Sequence, residues 1–268
     1  MLNIENNTFL TKEQMKQKAS SIFTTTSSPE TSKKYSHIPT EKIVDDMELL
    51  GWGVSDCKQI KSRTKESIGF QKHLIVFRNN DIVINGEDND TVFPQILLTN
   101  SHDGKNAFTF TAGLFRMICE NGLVITTQEF ENVKIRHMGY NFEVLQEMIK
   151  KMVEKLPLTV ESMNKFKQIQ LGQEQALDFA KKALKIRFSE EEMKTIKVDL
   201  NELVFPTRPE DKGTDLWSTF NVVQEKLIHG MFNYQYGVKK RKARKIKNFQ
   251  QDMKLNQGLY NLALEYVN

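Results

Sequence analysis

The chain has 268 residues, 39% hydrophobic and 27% charged, with a mean hydropathy of -0.50. That content suffices for one large domain or two small ones and excludes a globally disordered chain. No apolar run approaches the ~20 residues of a membrane span, and Met1–Glu5 lacks the basic and apolar regions of a signal peptide, so a soluble cytoplasmic protein is expected. Cys57 and Cys119 form no CxxC, which excludes a disulfide framework or a zinc ribbon. Both are expected to be small buried hydrophobes.

Formal net charge is only +4, from 38 Lys and Arg against 34 Asp and Glu. The imbalance is local. The run from Lys239 to Lys247 (KKRKARKIK) holds seven basic residues and no acid, and outside it acids outnumber bases. Any electrostatic function must therefore be local too.

Residues 1–34 are Ser- and Thr-rich toward their end, with Pro29 inside, and predict a flexible arm. Glu41 to Leu50 predicts a helix with Thr40 as N-cap, a stripe of Ile43, Val44, Met47 and Leu50, and Gly51 as the stop. The period then changes to two. Residues 54–62, Phe70–Phe77 and Ile82–Ile84 predict strands, with a hairpin turn at Asn79-Asn80-Asp81. Val92 to Thr127 is the densest apolar stretch, and it predicts a core hairpin. Ile96–Leu98 is one strand, Asn100 to Asn106 a polar turn, and Phe108 to Thr111 a second strand. Gly113 to Cys119, with Leu114, Phe115 and Ile118 on one face, predicts a short inserted helix ending at Asn121-Gly122. Leu123–Ile125 and Phe130–Arg136 predict further strands. From Asn141 onward the period is helical. Pro157 is expected to break or kink the first helix, Asp215–His229 to form another ending at Gly230, and Leu255 to Tyr266 to close the chain. Met231–Gly237 is aromatic and reads as irregular.

The expected class is thus α+β. A mostly antiparallel sheet with an inserted helix occupies residues 35–139, and a helical region carrying the basic segment occupies 140–268, with a soft boundary near Gly139.

Three separated stretches carry a family resemblance. Asn100-Ser101-His102-Asp103-Gly104, Ala112 to Arg116 and Asn121 to Val124 form the first. Tyr35–Trp52 is the second. Leu216–His229 with Leu255–Leu264 is the third. Together they resemble the phage-, prophage- and plasmid-associated "domain of unknown function 932" family. The resemblance implies a mobile-element gene, hence the host cytoplasm for a phage, and implies no activity.

The basic run is the strongest functional feature. Lys239, Lys240, Arg241, Lys242, Arg244, Lys245 and Lys247 suit phosphate neutralisation with counterion release. Phe232, Tyr234 and Tyr236 just precede it, and an aromatic such as Tyr234 or Tyr236 suits stacking on unpaired bases. Lys61, Arg63 and Arg78 are expected helpers if the early strands present one cationic face with Lys58, Lys65 and Lys72. The bland alternatives are a solvated loop and the polar face of the last helix, and lysines guarding a sheet edge. Arg116 suits a phosphate contact or a structural ion pair. His102-Asp103-Gly104 with His137 admits a metal-site reading, although neighbouring turn residues rarely face one point. Trp52 and Trp217 read as core or interface anchors.

The leading expectation is a non-enzymatic protein that binds nucleic acid, single-stranded DNA above duplex, without a cofactor. At fold level the first half resembles phage single-strand annealing proteins, which bind DNA along a basic groove and form rings. That resemblance implies a role in recombination or replication, and a homo-oligomer. The alternatives are a protein–protein interaction factor, for counter-defence or within a virion, and a metal-dependent nuclease using His102, Asp103 and His137.

Overall fold

The computed structural model describes residues 9–33, 35–62, 64–82, 84–85, 91–106, 108–116, 121–124, 133–135 and 141–267. The chain divides into two compact units, Met1–Glu120 with Thr126–Leu156, and Asn121–Ile125 with Pro157–Asn268. The class is α+β, with antiparallel pairing throughout, a sheet-rich first half and a helical second half.

In the first unit, α1 (Lys12–Lys18) and a 3-10 turn (Ser20–Phe23) precede α2 (Thr40–Leu49). Strands β1 (Gly53–Gln59), β2 (His73–Arg78), β3 (Ile84–Asn85), β4 (Thr91–Asn100) and β5 (Phe108–Arg116) follow. The order is β1-β2-β4-β5, with β3 also on β4. Strand β6 (Asn121–Val124) belongs to the second unit, and β7 (Val133–Ile135) pairs with β5. The core hairpin is β4–β5, in register from Val92↔Arg116 to Thr99↔Thr109. From Phe93 to Asn100 every residue of β4 is buried. A strand covered on both faces reads as a continuous apolar run rather than an alternation. Among the described residues Pro94 pairs with Leu114 of β5, while β2 meets β4 from Gln95 onward and β3 meets it at Thr91 and Val92.

Residues 9–33, expected as a flexible arm, are instead folded. Thr11 and Gln14 form a capping box at the start of α1. Met15, Ala19, Ser21 and Ile22 are completely buried. Leu10 N donates to the Val54 carbonyl at 2.8 Å, Lys18 pairs with Asp56 at 2.6 Å, and Ser28 N donates to the His102 carbonyl at 2.8 Å. A few well-spaced apolar side chains meet an otherwise bare sheet, which average composition hides.

Two further expectations are corrected. The inserted helix from Gly113 is absent over its described part, because Gly113–Arg116 continue β5 against Gln95–Val92. The apolar spacing fitted a helix face, but short apolar runs fit either period and the pairing with β4 decides. Residues 117–120 lie outside the described residues. Asn121-Gly122 opens β6 rather than capping a helix. Of the two outcomes expected at Pro157, the break does not occur, since α3 runs from Phe142 to Gln168. The division between the two units falls beside that proline.

The second unit contains α4 (Gln173–Arg187), α5 (Glu190–Thr195), β8 (Ile196–Val198), α6 (Leu200–Val204), α7 (Leu216–His229), β9 (Asn233–Tyr236), β10 (Lys239–Lys242) and α8 (Phe249–Leu264). Helix α7 is central. Asp215 caps it by accepting from Ser218 N, and Gly230 ends it at φ 69. Leu216 to Ile228 are all buried. Phe220 stacks on Trp217 with ring centroids 6.0 Å apart, and Phe166 and Phe179 each approach it at 6.4 Å. The polar residues of α7 are satisfied internally. Asn221 donates to the Trp217 carbonyl, Gln224 to Asn256 Oδ1, and Glu225 accepts from Arg208 and Thr207.

Candidate nucleic-acid interface

The basic run precedes α8, and only its second half, from Ala243, lies outside regular structure. Its first four residues form β10, paired with β9 across a tight turn at Gly237-Val238. Gly237, at φ 59, supplies the left-handed conformation that such a turn requires. Strand β9, expected to be irregular, pairs on its other side with β8. A three-stranded sheet, ordered β10-β9-β8, therefore carries the charge on an edge strand.

The register sorts the side chains, because residues directly opposite share a face. Lys239 faces Tyr236 and Arg241 faces Tyr234, with Ile196 and Val198 beyond them. Lys240 faces Gln235 and then Lys197, and Lys242 faces Asn233, on the other side. Tyr236 is 47% exposed, and the Arg241 guanidinium lies 4.9 Å from its ring centroid. Tyr234 is half-buried, 6.2 Å from the Phe188 ring. Of the two tyrosines Tyr236 is the more exposed.

After β10 the chain is extended but pinned. Ala243 N donates to the Phe232 carbonyl at 2.9 Å and Ile246 N to the Ile228 carbonyl at 2.8 Å. Gly230 packs so closely that a Cβ there would lie 2.6 Å from the Ala243 oxygen. Arg187, which sequence reasoning missed, donates from Nη2 to the Arg244 carbonyl at 2.6 Å. Its guanidinium lies over the rings of Phe188 and Phe232, and burial lowers its pKa. Lys239, Lys240, Arg241, Lys242, Arg244, Lys245 and Lys247 are all exposed. Among the described residues none of the seven pairs with a carboxylate. The result is a preorganised row of cations.

The early basic residues do not form a comparable face. Arg78 lies at the Gly53 end of the β1–β2 pairing, its guanidinium 5.1 Å from the Phe93 ring and donating to Asn80. Lys61 lies beyond the opposite end, past Gln59↔His73. Lys58 is 3.4 Å from Asp56. Arg63 lies outside the described residues, and nothing is described of the Arg116 side chain.

His102 and Asp103 are separated by their roles. Asp103 Oδ1 accepts from Ser101 Oγ and from Lys105 N, which makes it a turn former. The His102 ring is fully buried instead, 5.3 Å from His73 and 4.6 Å from His37. Thr40 Oγ1 accepts from Asn100 Nδ2 at 2.9 Å and lies 3.0 Å from His73 Nε2 and 3.4 Å from His102 Nε2. His73 Nδ1 lies 3.1 Å from both Ser21 Oγ and the Gln71 carbonyl. Burial depresses the His73 pKa to about 4. This cluster joins the folded N-terminal segment, α2 and the sheet. Among the described residues no group of three or more His, Cys, Asp or Glu could hold a metal ion. His137 lies outside the described residues.

Residues 30–260 match the family described as a domain of unknown function (DUF932). The chain belongs to the DUF932 family. It is also similar to two Escherichia coli (strain K12) proteins, UPF0380 protein YafZ and UPF0380 protein YfjQ. Each is 28% identical over 258 residues, covering 95% of this chain and 90% of the relative. No solved structure matches. Among the described residues no helix is long and apolar enough to cross a membrane.

The family match spans β8, β9 and β10, so the basic hairpin lies within the DUF932 region rather than in an appended tail.

Proposed function

We propose that this DUF932 protein binds nucleic acid without chemically changing it, and that it favours single-stranded DNA. It would serve the recombination or replication of a phage or other mobile element in the host cytoplasm, as a homo-oligomer. The observation that carries this reading is the β9–β10 hairpin and its extension. Seven cations with no carboxylate partner among the described residues project from a segment whose backbone is pinned at Ala243, Arg244 and Ile246. A merely solubilising charge run needs no such pinning. A pinned backbone loses little further entropy on meeting a strand, and each phosphate contact releases counterions. Lys239, Arg241 and Tyr236 share a face, so a strand held by its phosphates there can lay a base against the Tyr236 ring. A duplex keeps its bases stacked and denies that contact. Lys61, Arg63 and Arg78 are assigned at most a supporting role.

The test replaces Lys239, Lys240, Arg241 and Lys242 together by Glu and measures binding to a labelled oligonucleotide. All four are exposed, so circular dichroism is expected to stay native while binding is lost. A folded variant that binds like the wild type would end this reading and favour a protein partner instead.

A further inference from the structure

The face of the small sheet opposite the tyrosines carries a row that the basic run alone does not reveal. Lys197 on β8, Gln235 on β9 and Lys240 on β10 stand side by side in register. All three are exposed. They line a cleft of about 370 Å³ together with Val198, Asp199, Glu202, Asn233 and Tyr234. Lys197 lies more than 40 positions before the basic run, and only the pairing of β8 with β9 brings it there. Strands in a sheet lie roughly 5 Å apart, so the two lysines start about 10 Å from each other, with the glutamine amide between them.

The cleft is bipolar. Its lysines have no carboxylate partner among the described residues. Its acids are already engaged. Glu202 accepts from Asn233 N at 3.1 Å and from Asn233 Nδ2 at 2.8 Å, and Asp199 accepts from Asn201 N at 3.0 Å to cap α6. A nucleotide is bipolar in the same sense. Its phosphate seeks cations, while the amino group of adenine or cytosine seeks a carbonyl or carboxylate oxygen. A side-chain amide both donates to and accepts from a base edge.

We infer that Lys197, Gln235 and Lys240 form a nucleotide subsite, with phosphates of one strand at the two lysines and a base edge at Gln235. The inference rests on the nucleic-acid reading above and deepens it. The bound strand would cross β10 and β9 to reach β8, rather than follow the basic run alone. The Gln235 amide donates and accepts, so it pairs with the edge of any base, and the subsite adds affinity without base preference.

The experiment compares wild type, Lys197→Gln, Lys197→Arg, Gln235→Ala and Lys240→Gln by fluorescence anisotropy of labelled 15-mers across a salt series. Lys197→Gln is expected to reduce the salt slope by about 0.7, and affinity by about fivefold at 0.1 M salt, as for one lost single-strand phosphate contact. Lys240→Gln should match it, and Lys197→Arg should behave as wild type. Gln235→Ala should keep the slope and weaken binding of oligo(dA), oligo(dC) and oligo(dT) alike, by about fivefold for one lost hydrogen bond. If the wild type binds while Lys197→Gln and Gln235→Ala match it in slope and affinity, the subsite is refuted and the hairpin reading stands. If the wild type does not bind at low salt, both fall.

Discussion

Arg187 Nη2 donates to the carbonyl oxygen of Arg244 at 2.6 Å, so one cation holds the backbone of another. The contact places a guanidinium at the root of the basic segment without spending it on the ligand. Arg187→Ala is expected to lower stability by about 1 kcal/mol, given that the bond is partly exposed. It should also weaken oligonucleotide binding with the salt slope nearly unchanged, because no contacting cation is removed. Arg187→Lys keeps the charge but loses the planar stack on Phe188 and Phe232, and should rescue only in part. Thermal melts and anisotropy measure the two effects separately.

Gly230 supports the same segment from the other side. It combines φ 69 with a backbone approach that leaves a Cβ 2.6 Å from both the Ala243 oxygen and the Arg244 carbonyl carbon. Gly230→Ala must adopt a left-handed conformation and push the segment away. The expected loss is about 2 kcal/mol, seen as a Tm lowered by on the order of 5 °C. Hydrogen exchange at Ala243 and Ile246 should speed up.

His73 makes the first unit acid-sensitive. Its unfolded pKa is about 6.5, and burial lowers the folded value to about 4. The folded state therefore holds it neutral. Its contribution is complete above pH ~6.5 and is lost as pH falls from there toward 4, up to about 3 kcal/mol. Denaturant unfolding at pH 7 and pH 4.5 is expected to differ less for His73→Gln than for wild type. An equal or larger difference in the variant would contradict this assignment.

The two tyrosines should separate cleanly. Tyr236→Ala removes an exposed ring and is expected to cost about 1–3 kcal/mol of single-strand affinity while barely changing duplex affinity. Tyr234→Ala removes a ring packed near Phe188 and should lower Tm instead. Affinities for single-stranded and duplex oligonucleotides, with melts of both variants, decide the matter.

Much of the fold is legible in the sequence where local chemistry and tertiary need agree. Asp215 and Gly230 bracket α7 as their cap chemistry predicts, and the turn from Asn100 to Asn106 lies between β4 and β5. Thr40 begins α2 but does not cap it. Pro39 holds the cap position, and the Thr40 hydroxyl is committed to Asn100 and the histidines. Leu114 and Phe115 fit a helical spacing as well as a strand, and only the partner β4 decides between them. The run from Lys239 to Lys242 has poor strand propensity, and only its partner β9 makes it a strand. The cations of the site were therefore visible from composition. The partition of its faces, the part played by Arg187 and the inclusion of Lys197 depend on long-range register, which no local window contains.

The most direct measurement is the salt dependence of single-stranded oligonucleotide binding by the wild-type protein, followed by fluorescence anisotropy. Neutralisation of five to seven phosphates predicts a slope of log K against log salt of about -3 to -5, with duplex of equal length bound more weakly. Absence of binding at low salt, or binding whose slope is near zero, would contradict the claim that the basic hairpin captures phosphates.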